Sequence, residues 1–551
     1  MGFRRSRSDF ESLYLPKSQP QLISSHHAPI PKPLQTSEAH SDNTLPPVTN
    51  LPESFYQEQD LFRFRKQRGV NLGSWFVLER WISDGPFRSA AQPAQSDLDV
   101  ARGKNAKSIL EDHWNNWITE ADWAWLKDRG FNAVRIPIGY YHLAGLDPSL
   151  LEGTDFHEFT DVFVNAWAKI QEAFELAYKP TRRSRQTKSR LPLRHFQRPH
   201  LLLLQTQPKP HHTHPNHPPH TPQPLPPLTQ PTPPNLIGIE LLNEPHPPSD
   251  PSLQSWYTTT IKKLRSVDAT IPVYIGECWR VDSYADWLVK SGGAGASGTG
   301  LTVLDHHLYR CFTSSDISTS AQVHARALDP DSEGQGTPQH FSSVSEKLGQ
   351  VPGGGSGLVI GEWSGALNPG SLQSSTSGGW EETKQYIDAQ LRLYDKTCAG
   401  YFFWTFKKQH PGDKGWSLRD AVGAGTFPDR IGLRLTTSSG EISIEPDEVA
   451  KAKSATKGAA SESHRKWWSQ FPGKYEHGKF DDGFDKGWDE ALRFLTFDLN
   501  GRDSLSELGF TRAWARRQTK DHRGNYWEYE HGFLQAVNEA RNFFSRRYGF
   551  T

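Results

Sequence analysis

The fold is decided by an apolar stretch that ends on carboxylates, LIGIELLNEP at residues 236–245, and by a second one, LVIGEW at residues 358–363. A near-continuous apolar run of this length is typical of a strand buried on both faces, as in a parallel sheet. Glu244 and Glu362 stand at the exits of these runs. In a barrel of parallel strands, that end carries the functional side chains, whereas other positions serve packing.

Outward from these two stretches, apolar runs alternate with segments of helical period. Five further strands are predicted at residues 68–76, 131–138, 271–276, 301–306 and 399–405. Helices are predicted at residues 163–178, 252–266, 283–290 and 380–396. Strands that alternate with helices indicate a parallel sheet with right-handed crossovers. The sequence therefore predicts an α/β protein whose residues 56–465 form a (β/α)8 TIM barrel, with seven strands identified.

The eighth strand is missing from one definite place. Between residues 180 and 234 the chain is rich in Pro, His, Gln and Arg, and Leu201–Leu204 form its only apolar run. Proline at this density disfavours helix and central strand and indicates polyproline-like or disordered chain. We therefore expect the third βα unit to be replaced by low-complexity chain. A barrel that lacks one strand is expected to fail to close near the site and to show little or no turnover.

Both ends of the chain depart from the barrel pattern. Residues 1–55 are rich in Ser, Pro, Gln and His and have few apolar anchors, which predicts a disordered N-terminal arm. Residues 466–551 mix aromatic and charged side chains, and helices are predicted at 485–496, 509–518 and 530–547. Because the aromatic side chains need burial, we expect this C-terminal extension to dock on the barrel.

Composition excludes several classes of partner. The 551 residues carry 62 basic and 62 acidic side chains, so the zero net charge gives no reason to expect nucleic acid or an anionic membrane as a partner. No apolar stretch approaches the roughly 20 residues that span a bilayer, so no integral membrane segment is expected. The chain has three cysteines, no Asn-x-Ser/Thr site and no signal-like apolar region. We expect a cytoplasmic monomer, and favour an extracellular or cell-wall location less.

Two carboxylates at strand exits are what cleavage of a glycosidic bond requires, since one protonates the leaving oxygen and the other attacks or activates water. One such Glu alone would more simply be an ion-pair partner or a solvated residue; two in matching contexts favour catalysis. This chemistry needs no cofactor, and none is expected. No metal site is expected either, because the histidines within residues 211–220 lack ordered flanks and are interpreted as a solvated tract.

At these motifs the chain resembles glycoside hydrolase family 5, in the fungal exo-β-1,3-glucanase (glucan 1,3-β-glucosidase) branch. The motifs follow the family's order and are RGVNLGSW at 68–75 with Glu79, NAVRIP at 132–137, IELLNEP at 239–245, DHHLY at 305–309, IGEWS at 360–364 and FFWTF at 402–406. The resemblance implies a (β/α)8 barrel and retaining hydrolysis of β-glucan or another β-glucoside.

The resemblance also assigns roles to individual residues. It implies that Glu244 is the acid/base and Glu362 the nucleophile. Asn243 would bind the 2-hydroxyl group of the substrate. Arg135 would keep the nucleophile ionised, and Tyr309 would contact it from the other side.

Three more residues receive substrate-binding roles from the resemblance. His307 would position the acid/base or the leaving group, while neighbouring His306 should point the other way and be structural. Glu79 and Trp404 would line the subsite for the terminal glucose.

One departure from the family pattern concerns the third strand. Family members end that strand in Asp-Leu-His and follow it with a helix, whereas this chain has residues 180–234 in that place. A site histidine is therefore expected to be absent, and His195 and His200 are not taken as replacements. The departure favours a frame error or an unspliced intron, although a degenerate paralogue would look the same.

Two alternatives to glucan hydrolysis stay open. The first is hydrolysis of another β-glucoside, such as a sterol glucoside or glucosylceramide, which a cytoplasmic location makes plausible. The second is an inactive carbohydrate-binding pseudoenzyme, because the third βα unit departs from the family.

Overall fold

A closed barrel of eight parallel strands forms the centre of the part of the chain that the structure describes. The structure is a computed structural model that describes residues 53–178, 202–207, 233–295, 300–332, 336–373, 375–434, 444–497, 505–520, 522 and 525–550. The strands are β1 (Gln67–Asn71), β2 (Ala133–Gly139), β3 (Leu202–Gln207), β4 (Gly238–Glu240), β5 (Val273–Gly276), β6 (Thr302–Leu308), β7 (Leu358–Trp363) and β8 (Gly400–Phe403). The predicted (β/α)8 TIM barrel is confirmed.

Helices alternate with the strands and surround them. They are α1 (Glu53–Phe64), α2 (Asp97–Ala101), α3 (Ala106–Asn116), α4 (Glu120–Asp128), α5 (Thr160–Phe163), α6 (Ala166–Tyr178), α7 (Asp250–Val267), α8 (Val281–Lys290), α9 (Ser314–Ser318), α10 (Ala321–Leu328), α11 (Thr337–Leu348), α12 (Trp380–Thr397), α13 (Leu418–Gly423), α14 (Pro446–Trp468), α15 (His477–Phe497), α16 (Thr511–Arg517) and α17 (Tyr526–Tyr548). None of these helices is long and apolar enough to cross a bilayer.

The third strand differs from the expectation drawn from the sequence. β3 lies inside the proline-rich segment and pairs in parallel with β2 along six residues and with β4 along three. The prediction that residues 180–234 leave the barrel one strand short, and unable to close, is therefore wrong. The physical reason is local: proline disrupts a strand where it occurs, and Pro199 and Pro208 both fall outside residues 202–207.

The rest of the segment lies outside the described residues. This applies to residues 179–201 and 208–232, and hence to His195 and His200. The histidine tract falls in the same undescribed range. The predicted N-terminal arm also lies outside the described residues, except that residues 53–55 open helix α1, which leads into β1.

The C-terminal extension begins earlier than the sequence pattern indicates. Helix α14 starts at Pro446, so the predicted boundary between residues 465 and 466 falls inside this helix. Its 23 residues bury Ala460, Ser461 and His464 as their inward face. So narrow an apolar face gives little helical periodicity to detect.

The extension packs against the lower end of the barrel, where the strands begin. Its aromatic side chains form one cluster with residues at or near strand starts. The extension contributes Phe494, Phe510, Trp514, Tyr529 and Phe533, and the barrel contributes Ala133, Ile237, Leu301, Val359 and Ala399. The face that carries catalytic residues in parallel barrels is the opposite one.

Glu507 joins the extension to the barrel by charge. Its carboxylate accepts from Arg68 of β1 at 2.5 Å and from Arg541 of α17 at 2.5 Å. Next to it, the backbone N–H of Lys66 donates to the carbonyl of Glu507 at 2.6 Å. Burial would raise the pKa of Glu507, but the charges of Arg68 and Arg541 outweigh burial and lower it to about 2, from an ordinary 4.5.

We expect Glu507→Gln to destabilise the protein by about 3 kcal/mol at neutral pH, because it leaves Arg68 buried with weaker compensation. A carboxyl group with a lowered pKa stabilises the fold above its unfolded value, and this contribution is lost as pH falls from about 4.5 towards 2. Denaturant unfolding of both proteins across this window should show the difference shrink. The control is Glu448→Gln, which removes an exposed pair with Arg547. Equal differences at pH 7 and pH 3 would contradict the prediction.

Candidate active site

Both predicted catalytic carboxylates lie at the upper end of the barrel. Glu362 is the fifth residue of β7, and Glu244 follows the end of β4 by four residues. Glu244 has a backbone φ of 41°, in the left-handed region that residues other than glycine rarely adopt. Strained backbone of this kind is concentrated at functional sites.

Glu362 is held from two sides by hydrogen-bond donors. Nη1 of Arg135 donates to its Oε1 at 2.8 Å, and the hydroxyl group of Tyr309 donates to its Oε2 at 2.8 Å. Donors on both oxygens fix the orientation of this carboxylate. Arg135 and Tyr309 therefore contact Glu362 as the resemblance implies, one on each oxygen.

Arg135 is fully buried in the third position of β2, so it lies beneath the strand ends that carry Glu244 and Glu362. Its Nε donates to Oε2 of Glu240 at 2.7 Å, and its Nη1 also donates to Oδ1 of Asn71 at 2.7 Å. Its Nη2 donates to Oδ1 of Asn243 at 3.0 Å. The guanidinium group thus orients both Glu362 and Asn243, and leaves the amide N–H groups of Asn243 for the substrate.

His307 links the two carboxylates. Its Nδ1 lies 3.0 Å from Oε1 of Glu244 and 3.6 Å from Oε2 of Glu362, and its Nε2 lies 3.8 Å from Asp305. Burial would lower the pKa of His307, but the charge of Glu362 and the contacts with Asp305 and Glu244 raise it well above its ordinary value. The imidazole is therefore protonated and positively charged.

The contact with His307 also shifts the pKa of Glu244. Burial would raise its pKa, but the hydrogen bond and the charge of His307, together with Arg135, outweigh burial and lower it. The two opposite shifts favour the proton on His307 over Glu244. His306 points away and contacts Glu277 at 2.5 Å, which fits the structural role expected for it.

Glu79 lies close enough to Glu244 and Glu362 for their charges to shift its pKa. Its Oε2 accepts a hydrogen bond from Nε1 of Trp81 at 2.7 Å. Burial and the negative charges of Glu362 and Glu244 outweigh that bond and raise the pKa of Glu79 to about 8. The carboxyl group of Glu79 is therefore neutral at pH 7.

Trp404 follows directly after β8. Its backbone N–H donates to the carbonyl of Trp363, the residue next to Glu362, at 2.7 Å. Its side chain is almost fully buried. Trp404 therefore lies at the same strand ends as Glu362, where a ring face can line the floor of a sugar subsite.

An aromatic wall extends from Tyr309 to the surface. Trp416 lies 5.4 Å from the Tyr309 ring, 5.9 Å from Phe312 and 5.6 Å from Trp81, measured between ring centroids. Phe312 is 53% exposed and Trp81 is 37% exposed. Flat apolar rings that begin at the nucleophile's partner and reach solvent suit the stacking of sugar faces.

Sequence reasoning missed some of these residues. Glu240 carries a charge inside a buried strand, and a buried charge needs a partner, so its place in the apolar run was a usable signal. Asn71 and Asp305 stand inside recognised motifs, but their role beneath the site depends on contacts between strands far apart in sequence. Trp81, Phe312 and Trp416 carry no local signal, because exposed aromatic residues occur singly on many surfaces.

Three groups in the described ranges have donor atoms that could hold a metal ion. They are Glu240, Asp305 and His307; Glu244, His307 and Glu362; and His464, His477 and Glu528. In the first two, Arg135 already supplies the compensating cation, since it bonds Glu240 and Glu362 directly. The third group lies in the C-terminal extension.

A parallel barrel whose two carboxylates meet through one imidazole at its upper end defines a glycoside hydrolase. Residues 449–544 match the family model described as Glucan 1,3-beta-glucosidase 3 C-terminal domain. The chain is 28% identical to Glucan 1,3-beta-glucosidase 3 of Schizosaccharomyces pombe, over 87% of this chain and 96% of that protein. It is 25% identical to Probable glucan 1,3-beta-glucosidase A of Aspergillus clavatus, over 68% and 90%.

Among solved structures, the rutinosidase from Aspergillus niger aligns with a TM-score of 0.42 and 15% identity, over 67% of this chain and 99% of that one. The chain is a glycoside hydrolase similar to the fungal glucan 1,3-beta-glucosidases over most of its length.

Proposed function

We propose that this protein is a retaining β-glucosidase that cleaves β-1,3-glucan or its oligosaccharides. The relatives named as glucan 1,3-beta-glucosidases support the substrate class. The observation that carries the proposal is the position of Nδ1 of His307, 3.0 Å from Glu244 and 3.6 Å from Glu362. A shared partner brings the carboxyl groups close, and a short separation is typical of retaining rather than inverting sites.

In the first step, Glu362 attacks the anomeric carbon and Glu244 protonates the glycosidic oxygen. The C–O bond breaks, the glucan leaves with a hydroxyl group, and the glucosyl unit forms an ester with Glu362. The amide of Asn243, oriented by Arg135, is placed to bind the 2-hydroxyl group of the sugar.

In the second step, Glu244 accepts a proton from water while the water oxygen attacks the anomeric carbon. The ester bond breaks, glucose leaves with the β configuration, and Glu362 becomes a carboxylate again. Arg135 and Tyr309 hold that returning charge at 2.8 Å each, so they stabilise the leaving group without moving.

The first step requires a proton on Glu244, and His307 is the neighbouring group that supplies it. The 3.0 Å hydrogen bond between Nδ1 of His307 and Oε1 of Glu244 is the path by which this proton reaches the carboxylate. A protonated imidazole beside the acid also explains how two carboxylates share one site without strong repulsion. His307 therefore acts together with Glu244 as one acid.

The proposal is tested with purified protein, laminari-oligosaccharides, a sterol glucoside and glucosylceramide. We expect glucose release from laminari-oligosaccharides, with β-glucose as the first anomer seen by proton NMR. Glu172→Gln, which alters an exposed pair with Lys169 on the outer helix α6, serves as the surface control. Turnover of the lipid glucosides alone, or α-glucose as the first product, would contradict the proposal.

Glu79 gives the site an alkaline limit. We expect kcat/KM to fall about tenfold per pH unit above about 8. Ionised Glu79 adds a third negative charge to the site and can no longer donate a hydrogen bond. In Glu79→Gln the side chain stays neutral and this fall should vanish. Asp84→Asn is the control, since hydrogen bonds from His410 and Arg88 lower the pKa of Asp84 and keep it ionised. Superimposable pH profiles of wild type and Glu79→Gln would rule out this role.

We also propose that the protein works as a monomer in the cytoplasm. Cys278, Cys311 and Cys398 are free thiols, and the last two are buried, which suits a reducing compartment. Size-exclusion chromatography with light scattering and fractionation of cells that express the tagged full chain test these two points.

A further inference from the structure

A second cluster of polar side chains, unrelated to the barrel site, joins three helices of the C-terminal extension. It consists of His464 from α14, His477 at the start of α15 and Glu528 from α17. Nε2 of His464 lies 3.0 Å from Oε2 of Glu528, and Nδ1 of His477 lies 2.9 Å from the same oxygen. Two ring nitrogens and a carboxylate oxygen thus meet at one point.

We propose that His464, His477 and Glu528 form a zinc site, with a fourth position left for water. Two imidazole nitrogens and one carboxylate oxygen are a ligand set that zinc binds in proteins. Zinc at 2.0–2.1 Å from tetrahedral ligands separates them by roughly 3.3 Å. The observed separations of 2.9 and 3.0 Å need to open by only a few tenths of an ångström.

The charge balance of the cluster supports a cation. Glu528 is completely buried, and a buried carboxylate needs compensation. Its contacts in the described residues come from the two imidazoles and from the backbone N–H of Glu476, which donates to Oε1 at 2.6 Å. That N–H fixes the carboxylate from outside the cluster, as partners of metal ligands commonly do. A divalent ion bound by these three side chains would supply that compensation directly at the carboxylate.

Aromatic rings pack against two of the three ligands. The ring of Phe480 stacks on His464 with centroids 4.1 Å apart, and the ring of Tyr475 stacks on His477 at 5.5 Å. The His477 side chain keeps 28% of its surface exposed, which provides an entry path for the ion. His531 lies nearby, 5.3 Å from His464 between centroids, but outside the three converging ligand atoms.

A metal would add to the ion pairs that already hold α14 against α15, such as those of Lys453 with Asp489 and Arg465 with Asp481. This helix buries few side chains, and His464 is one of them. Zinc would tie it to α15 and α17 through one bond from each helix. Because metal binding stabilises a folded site by mass action, removal of zinc should lower the Tm of the protein.

The test uses the full chain, freed of metal by a chelator, dialysed and titrated with zinc in competition with a chromophoric chelator. We expect one zinc per chain, a rise in Tm on zinc addition, and visible absorption bands of tetrahedral cobalt when Co²⁺ replaces zinc. His477→Asn and Glu528→Gln should each weaken zinc binding by more than about tenfold. His340→Asn, which alters an exposed imidazole paired with Asp282 at 2.8 Å, should leave binding unchanged.

Two outcomes would overturn the proposal. Wild-type protein that binds no zinc would show that the cluster is a hydrogen-bonded network only. His477→Asn that binds zinc as tightly as wild type would show that the ion lies elsewhere, for example among Glu244, His307 and Glu362. Because His477 is partly exposed, this variant is expected to fold even if Glu528→Gln does not, and circular dichroism checks that it does.

Discussion

Glu362→Gln is expected to lower kcat on laminari-oligosaccharides by at least about 10,000-fold, because an amide cannot form the glucosyl ester. The amide has nearly the shape of the carboxylate, so the barrel should remain folded and substrate should still bind. Calorimetric titration with laminaritriose measures that binding, and a discontinuous glucose assay measures kcat. Activity within tenfold of wild type would remove Glu362 from the reaction.

A second variant at this position separates chemistry from folding. Glu362→Ala opens space for a small nucleophile on the face that the carboxylate occupies. Azide should therefore restore turnover of an activated β-glucoside and give α-glucosyl azide, because a single displacement inverts the anomeric carbon. Glu172→Gln, far out on α6, should behave as wild type without azide and gain nothing from it.

Glu244→Gln is expected to lower kcat on laminari-oligosaccharides by about 100- to 10,000-fold, the usual contribution of a positioned general acid. The loss should depend on the leaving group. With a 2,4-dinitrophenyl β-glucoside, the leaving group is dinitrophenolate, which departs without protonation. The glucosyl ester should therefore form at nearly the wild-type rate, and dinitrophenolate should appear as a burst. The following hydrolysis should be slow, since water then lacks its base.

The dependence on leaving group distinguishes an acid/base from a residue that only supports the fold. A burst with dinitrophenolate, followed by slow steady turnover, assigns Glu244 to proton transfer. A uniform loss with both substrates would instead indicate that Glu244 binds the sugar or maintains the site. Glu172→Gln again provides the unaffected comparison.

The barrel could be predicted because its strands are buried on both faces. Each apolar run was recognisable, although β4 itself is shorter than the run of residues 236–242 that predicted it. The helices at 252–266 and 380–396 also agree with α7 and α12, since both have a clear apolar face. In these elements, the spacing of apolar residues along the sequence matches the face that the structure buries.

Among the elements that were not predicted, β3 and α14 were missed for opposite reasons. β3 was missed because prolines flank it on both sides. The average proline content of a segment of about fifty residues does not predict the structure of six residues that contain no proline. Leu201–Leu204 was the available signal, and a run of four leucines in a polar segment deserved the interpretation of a strand. α14 was concealed by its polarity, because so few of its side chains face inward.

The motifs identify Glu244, Glu362 and the residues that contact them directly. They do not identify the side chains that lie beneath these residues. Arg135 was expected to contact Glu362, and it also bonds Glu240 and Asn71 beneath the site. These partners come from three different strands. Only the closure of the barrel brings them to one point, so no local pattern could identify them.

The junction of Glu507 with Arg68 and Arg541 assigns the two ends of the barrel to different tasks. Helices from the far end of the chain close the floor, where strands start, and anchor it with aromatic side chains and charge. Contacts at the lower end therefore stabilise the barrel, and the upper end contributes less to its stability. The described segments that connect strands at the upper end are therefore less constrained in length and composition than the lower end, against which the extension packs.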